Sequence, residues 1–483
     1  MKHKILFLPL ICFVLSGCTL LNFINKKSGS SESGSSNNGS NTSEPGGETA
    51  DPSSIQNMNI LHAWNWKLND IKSRLSAIKS AGYGAVQISP MQPKVDKNGW
   101  ADQSTKSQWW KLYQPLAFKV AESGETFLGT KSELTSLCSE AKKQDIKIVV
   151  DVVTNHLAGS GNSYSSQVYK QYPLHNWSGG ADDNNGESVV KGNIGLPDLD
   201  TSNSQVQQDV LAMLKSYIDC GVSGFRFDAA KHIETPDDGS YASNYWPTVL
   251  NGTTEYAKSK NVDAPYYYGE ILNTCGAGRS FESYTKLMSM CDNKQGTSVI
   301  NAVNSKSISS LKSTYDTGVN PNHLVLWAES HDTYANDSGY DLTRDISIDS
   351  VNKAYIIQAS RKDAATLYFA RPTDLNVTIC SINDNSGWKN KEISAVNKFH
   401  AQYVGAEENI NNNNNCFVNV RGNGASAGAV IVNINASNSA NVEVKGLANG
   451  AYTDLISGNT FNVSNEKVNA TFTSGACILV PKK

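Results

Sequence analysis

Gly224-Phe225-Arg226-Phe227-Asp228-Ala229-Ala230-Lys231-His232 is the stretch whose reading decides the fold. Val222 precedes it, and within it Phe225 and Phe227 alternate with an arginine and a carboxylate. That alternation predicts a short buried strand delivering Arg226 and Asp228 to one end of a sheet, on the same face. Burying such a pair is costly unless the two charges neutralise each other or serve a site. Three other stretches weigh for a site.

Ile146-Lys147-Ile148-Val149-Val150-Asp151-Val152-Val153-Thr154-Asn155-His156 is a β-branched run ending in polar residues. Tyr266-Tyr267-Tyr268-Gly269-Glu270-Ile271 ends in a glutamate, and Leu324-Val325-Leu326-Trp327-Ala328-Glu329-Ser330-His331-Asp332 ends in His-Asp. Continuous apolar runs predict strands covered on both faces, as in parallel sheets. Polar groups gathered at the carboxyl ends of such strands are the site pattern of a (β/α)8 barrel. Eight strands are expected near Asn59–Ala63, Ala85–Ser89, Ile146–Val152, Gly224–Phe227, Tyr266–Gly269, Ser298–Ala302, Leu324–Ala328 and Thr366–Ala370, with helices such as Leu68–Ser80, Lys131–Lys143 and Ser204–Asp219 between them.

The four stretches together resemble the four motif regions of the α-amylase family of glycoside hydrolases, with the greatest likeness to bacterial α-amylases of the Bacillus subtilis type. The resemblance extends to Leu61-His62-Ala63-Trp64-Asn65-Trp66, Trp109-Trp110-Lys111-Leu112-Tyr113-Gln114-Pro115, Ile233-Glu234-Thr235-Pro236-Asp237-Asp238-Gly239-Ser240 and Tyr334-Ala335-Asn336-Asp337. It implies retaining endo-hydrolysis of α-1,4-glucosidic bonds in starch, maltooligosaccharides and related α-glucans. Asp228 is then the nucleophile, Glu270 the acid and base, and Asp332 the carboxylate that holds sugar hydroxyls. His156 and His331 would bond the same sugar, Tyr113 would stack on it with Gln114 beside, and Lys231 would reach the leaving-group side. Arg226 is expected to keep Asp228 ionised, while the three tyrosines before Glu270 are expected to raise its carboxyl. Other activities of the family, cyclodextrin hydrolysis and transglycosylation, share all four regions. A non-catalytic glucan-binding surface protein is the alternative from another class, and the intact Asp228, Glu270, Asp332 and Arg226 argue against it.

The same resemblance implies a structural Ca2+ held by Asn155 and Asp198 side chains and by the His232 carbonyl, with the Val189 carbonyl as a further ligand. Hard oxygen donors of this kind suit calcium. A zinc hydrolase would carry paired histidines after the first strand, where only His62 stands. Chloride-activated relatives carry Asn where Ser330 lies, so chloride dependence is not expected. Histidines 62, 175, 323 and 400 are read as core or loop residues.

The chain has 483 residues, 39% hydrophobic and 18% charged, with a net charge of −3. That length predicts more than one core, and the charge gives no reason for a nucleic-acid partner. Met1-Lys2-His3-Lys4 followed by apolar Ile5 to Leu15 reads as a signal peptide over 1–17. Leu15-Ser16-Gly17-Cys18 resembles a lipobox, which implies lipidation of Cys18 and an extracellular or cell-surface bacterial lipoprotein. Residues 18–55 form the expected anchored tether, rich in Ser, Gly and Asn. The barrel is expected over 56–156 and 201–405, interrupted by an inserted small domain over 157–200. A C-terminal all-β sandwich is expected over 406–483, and the last barrel helix over Ile393–Tyr403. Seven cysteines remain after Cys12 and Cys18, with no metal-type spacing and no predicted disulfide. A monomer is expected.

Overall fold

The computed structural model describes residues 50–94, 109–158, 171–272, 274–311, 313–336, 342–372, 387–435 and 437–482. The expected leader, Cys18 and the tether up to residue 49 lie outside these, as do residues 159–170 of the insertion, Asp337 and Cys380.

Eight parallel strands close into a barrel in chain order: β1 (Asn59–Ala63), β2 (Ala85–Ile88), β3 (Lys147–Val153), β4 (Gly224–Asp228), β5 (Tyr266–Gly269), β6 (Ser289–Cys291), β7 (Leu324–Trp327) and β8 (Ala365–Phe369). Seven lie where the apolar runs place them. The sixth does not: Ser298–Ala302 belongs to a helix spanning Asn293–Asn304. Its Val299, Ile300, Ala302 and Val303 are buried at helical spacing, and a three-residue strand carries almost no periodic signal of its own.

The alternation in β4 sorts its side chains. Phe225 meets Tyr217 of the helix Ser204–Asp219 with ring centroids 6.0 Å apart, and Phe227 meets Trp246 edge-on at 5.1 Å. Both phenylalanines thus face the surrounding helices, which leaves Arg226 and Asp228 facing the barrel interior. Register then aligns Asp151 of β3 with Arg226, and Arg226 with Tyr268 of β5. At the end of β5, Gly269 permits the close approach that seats Glu270. A Cβ there would stand 2.8 Å from the Ala230 Cβ.

The predicted helices Leu68–Ser80, Lys131–Lys143 and Ser204–Asp219 form over those bounds. Thr130 and Glu133 close a capping box at the start of the second, satisfying amide donors that the helix leaves open. The last barrel helix spans Lys391–Gln402. Between β3 and the helix Ser204–Asp219, the insertion carries a short helix, Gly186–Lys191, capped by the Asn185 side chain.

Beyond the barrel lie β9 (Glu408–Ile410), β10 (Cys416–Arg421), β11 (Gly428–Asn433), β12 (Ser439–Glu443), β13 (Gly450–Asp454), β14 (Thr460–Val463), β15 (Lys467–Thr471) and β16 (Ala476–Pro481). Six form an antiparallel sheet in the order β14-β13-β16-β11-β10-β9, and β12 pairs with β15. Val418, Val420, Ile431 and Leu479 of the larger sheet share one core with Val442, Val468 and Ala470 of the smaller. The result is an all-β C-terminal unit of two layers. Among the described residues, cysteines 138, 220, 275, 291, 416 and 477 are free.

Candidate active site

One guanidinium organises the carboxyl end of the barrel. Arg226 Nη1 donates to Asp228 Oδ1 at 2.8 Å and to Asp151 Oδ1 and Oδ2 at 2.9 and 3.1 Å. Its Nη2 lies 2.8 Å from Glu270 Oε2, which also accepts from the Ala229 backbone N–H at 3.0 Å. The planar fork suits this task, since it presents several donors at fixed angles. The catalytic pair expected from the sequence is therefore brought together on one cation. Asp151 joins it as a third carboxylate that the sequence reading passed over.

Asp228 and Glu270 differ from expectation in their electrostatics. Burial drives the Asp228 carboxyl well above its ordinary value; Arg226 opposes this, and Glu270, Asp151 and Asp332 add to it. Arg226 does favour the ionised Asp228 as expected, but burial, with the neighbouring carboxylates adding to it, outweighs that effect. Burial also pushes Glu270 upward, but Arg226 and the Ala229 N–H outweigh it and hold the group below the ordinary carboxyl range. The three tyrosines do not raise it, because they bond elsewhere. Tyr266 donates to Gln56 at 2.9 Å, Tyr267 to the Leu250 carbonyl at 3.1 Å, and Tyr268 to Gln87. Asp332 is pushed up to about 7 by burial and by the Glu270 charge. Four carboxyls against one guanidinium cannot all ionise cheaply, so they retain protons as a coupled group.

The remaining expected residues line this centre. Tyr113 donates its hydroxyl to Asp151 Oδ2 at 3.0 Å, and its ring lies parallel to His331 with centroids 4.9 Å apart. One face of Tyr113 is thus covered by an imidazole. His156 Nε2 lies 3.0 Å from the Tyr113 carbonyl, while its buried Nδ1 has no hydrogen-bond partner. Burial holds both His156 and His331 at about 4, so both imidazoles are neutral near pH 7. His331 Nε2 stands 3.6 Å from Asp332 Oδ2. Gln114 is half-buried beside Tyr113. The Lys231 ammonium lies 2.7 Å from Asp183 of the insertion.

The sequence profile described as "Alpha amylase, catalytic domain" matches residues 52–297, half of the chain. The chain belongs to the α-amylase family. An α-amylase of Clostridium acetobutylicum is 38% identical over 388 residues, covering 77% of this chain and 47% of that protein. An α-amylase of Butyrivibrio fibrisolvens is 28% identical over 447 residues, covering 84% of this chain and 45% of that one. The chain therefore spans about half the length of these curated relatives. Among solved structures, α-amylase I of Eisenia fetida shares the fold with a TM-score of 0.67 at 18% identity, covering 88% of this chain and 97% of its own. A variant of that Eisenia fetida protein has been solved with maltohexaose.

Within this family frame, the residues expected to hold calcium fall into two contacts. Asn155 Nδ2 donates to Asp198 Oδ1 at 3.0 Å, and the buried Asn155 Oδ1 has no hydrogen-bond partner. An orphaned amide oxygen beside a carboxylate fits a hard cation such as Ca2+. The Val189 carbonyl accepts from His232 Nδ1 at 2.7 Å, which leaves its second lone pair for another partner. His175, read from the sequence as a core residue, turns out to bridge Asp198 Oδ2 at 2.6 Å and Glu234 Oε1 at 2.7 Å. Burial opposes its charge, but the two carboxylates raise the imidazole to about 9. Burial still raises Asp198 to about 6, with the Glu234 charge adding to it and His175 and Asn155 opposing. The charge that this arrangement stabilises is the imidazolium, which faces both. Nothing in Pro173-Leu174-His175-Asn176 marked that histidine, since its partners lie 23 and 59 residues away.

Proposed function

We propose that this chain hydrolyses internal α-1,4-glucosidic bonds of starch and related glucans with retention of configuration. The observation that carries the reading is Arg226 holding Asp228 and Glu270 at 2.8 Å each, at the mouth of a closed parallel barrel. Retaining cleavage requires two carboxyls close together, about 5–5.5 Å apart, and one guanidinium gripping both keeps them neighbours. In the first step an Asp228 oxygen attacks the anomeric carbon while the bond to the departing glucan oxygen breaks. Glu270 gives its proton to that oxygen. In the second step Glu270 takes a proton from water, which attacks the same carbon and releases Asp228. Two inversions return the original configuration.

The proton that Glu270 needs is available within the coupled carboxyls, since Asp228 and Asp332 both sit high. The first step calls for an ionised Asp228 and a protonated Glu270, one proton arrangement of that coupled group. Arg226 then stabilises whichever carboxylate carries the charge. Neutral His331 and His156 present nitrogen atoms as donor or acceptor to sugar hydroxyls, and Asp332 accepts from others. Family membership supports this reading, as does the maltohexaose complex of the Eisenia fetida variant.

Calcium would be held by Asn155, Asp198 and the carbonyls of His232 and Val189, tying the insertion to the barrel without entering the chemistry. The leader and Cys18 support a lipid-anchored enzyme outside the cytoplasm.

The test uses soluble starch with wild type beside Glu270→Gln, following product size. A fall in polymer length with wild type, lost in the variant, is expected. Starch bound but uncut by wild type would favour a glucan-binding protein instead.

A further inference from the structure

The polar residues after β7 ride on a very short helix, His331–Ala335. A helix of little more than one turn does not hold itself together in water, so contacts outside it must fix its place. Ser330 caps it: the Ser330 hydroxyl accepts from the Thr333 N–H at 3.3 Å, and the Thr333 hydroxyl accepts from the Ser330 N–H at 3.0 Å. The helix stands against the carboxylates, since His331 stacks on Tyr113, Tyr113 bonds Asp151, and Asp151 bonds Arg226. Rings also enclose His331, with His62 and Trp109 centroids 5.6 and 5.7 Å away. Asp332 has no such support. Among the described residues its carboxylate accepts one long hydrogen bond, from Asn336 Nδ2 at 3.4 Å. Its direction is therefore set by where the backbone beneath it lies.

A second guanidinium places that backbone. Arg371 stands two residues beyond β8, next to Ala370, whose N–H donates to the His62 carbonyl of β1 at 3.1 Å. Arg371 Nε lies 3.1 and 2.9 Å from Glu329 Oε1 and Oε2, and Nη2 lies 2.5 Å from Oε1. Its Nη2 also donates to the Thr343 carbonyl at 2.7 Å, and Nη1 to the Ile346 carbonyl at 2.8 Å. Thr343 closes the ring. Its N–H donates to the Thr333 carbonyl at 2.8 Å and its hydroxyl to Glu329 Oε1 at 2.5 Å. Tyr334 lays its ring 5.0 Å from the guanidinium and donates its hydroxyl to the Pro372 carbonyl at 3.1 Å. Both residues that follow Asp332 are thus tied, directly or through Thr343 and Pro372, to Arg371. The Glu329 and Arg371 side chains are 1% and 11% exposed, so water competes little for these bonds. A buried ion pair adds little net stability over a well-packed apolar pair. What a planar fork adds is direction, which an ammonium cannot supply.

We propose that Arg371 and Glu329 are positioning residues for the reaction, locking the helix His331–Ala335 so that Asp332 meets the sugar in one fixed orientation. Both act through Asp332. The inference rests on the glucan-hydrolase reading above and adds to it the pair that aims one of its carboxylates.

The test is maltohexaose binding, measured by calorimetry in a Glu270→Gln protein that holds the glucan uncut. Arg371→Lys keeps the charge and loses the fork. A misplacement of about 1 Å can cost about a hundredfold, so partial loosening is expected to weaken binding about tenfold. With Asp332→Ala also present, the same substitution is expected to weaken binding less than about twofold, because the side chain that the fork aims has gone. Glu329→Gln, which keeps the shape and gives up the charge, is expected to show the same dependence on Asp332, and it replaces Arg371→Lys if that variant melts below the assay temperature. The melting temperature is expected to fall equally with and without Asp332, which separates the fold from the positioning. A pair that only supports the fold would weaken binding equally in both backgrounds; that result, or no loss in either, would overturn the proposal. A wild type that cuts starch, with binding losses independent of Asp332, overturns this inference alone. A wild type that leaves starch uncut overturns the glucan-hydrolase reading, and this inference with it.

Discussion

Arg226 decides the electrostatics of the cleft because three carboxylates, Asp151, Asp228 and Glu270, compete for one guanidinium. Arg226 and Asp228 were legible in the sequence, since they stand two apart on one strand. Asp151 was in plain view at the end of a quoted run, but its role depends on cross-strand register, which sequence does not display. Glu270 was legible as a residue and misread as an environment. Its tyrosine neighbours bond to Gln56, Leu250 and Gln87, while its true neighbour is a guanidinium from the adjacent strand. The coupled carboxyls lead to a pH prediction. With Asp332 raised to about 7, this member of the coupled group loses its proton near neutrality. Loss of that proton depletes the supply for the departing oxygen, so kcat/KM should fall as pH rises through about 7. Asp151→Asn removes a negative charge that raises Asp228, and through the coupling of Asp228 with Asp332 should move this limb to lower pH. A pH–rate profile whose alkaline limb stays in place in that variant would contradict the shared-arginine account.

At the level of elements, the polar endings of β3, β4, β5 and the segment after β7 were readable because continuous apolar runs announce buried parallel strands. β6 was not, being three residues long beside a helix whose apolar positions mimic a strand. The insertion was visible as a gap, but not the way it grips the barrel. Gly186 sits against the Ala277 carbonyl, the Tyr241 hydroxyl and Arg279, with room for no side chain. Gly186→Ala should therefore force the short helix Gly186–Lys191 off its seat, costing about 1–3 kcal/mol in thermal or denaturant melting. Unchanged melting would show that the insertion is seated by other contacts.

For the molecule as a whole, barrel, insertion and C-terminal sheets follow the order in which the chain's composition changes. Helix bounds such as Leu68–Ser80 and Ser204–Asp219 were readable to the residue because apolar spacing persists over several turns. His175, by contrast, links Asp198 and Glu234 across the insertion and the β4 loop, a relation with no local signature. If a calcium ion completes this junction, chelation should lower the melting temperature before it lowers activity at moderate temperature. A site filled at about a hundred times its Kd contributes about 2.7 kcal/mol, which corresponds to a shift of a few degrees for a chain of this size. Melting that is unchanged with metal verifiably removed would exclude the ion.

The central claim is that Asp228 attacks the sugar and Glu270 supplies and recovers the proton. It is tested most directly by trapping the covalent glycosyl-enzyme with a fluorinated maltosyl fluoride and mapping the label by mass spectrometry. The account predicts one maltosyl group on the peptide containing Asp228, formed and released slowly. A label on the peptide containing Glu270 or Asp332, or turnover through inversion with no label, would contradict it.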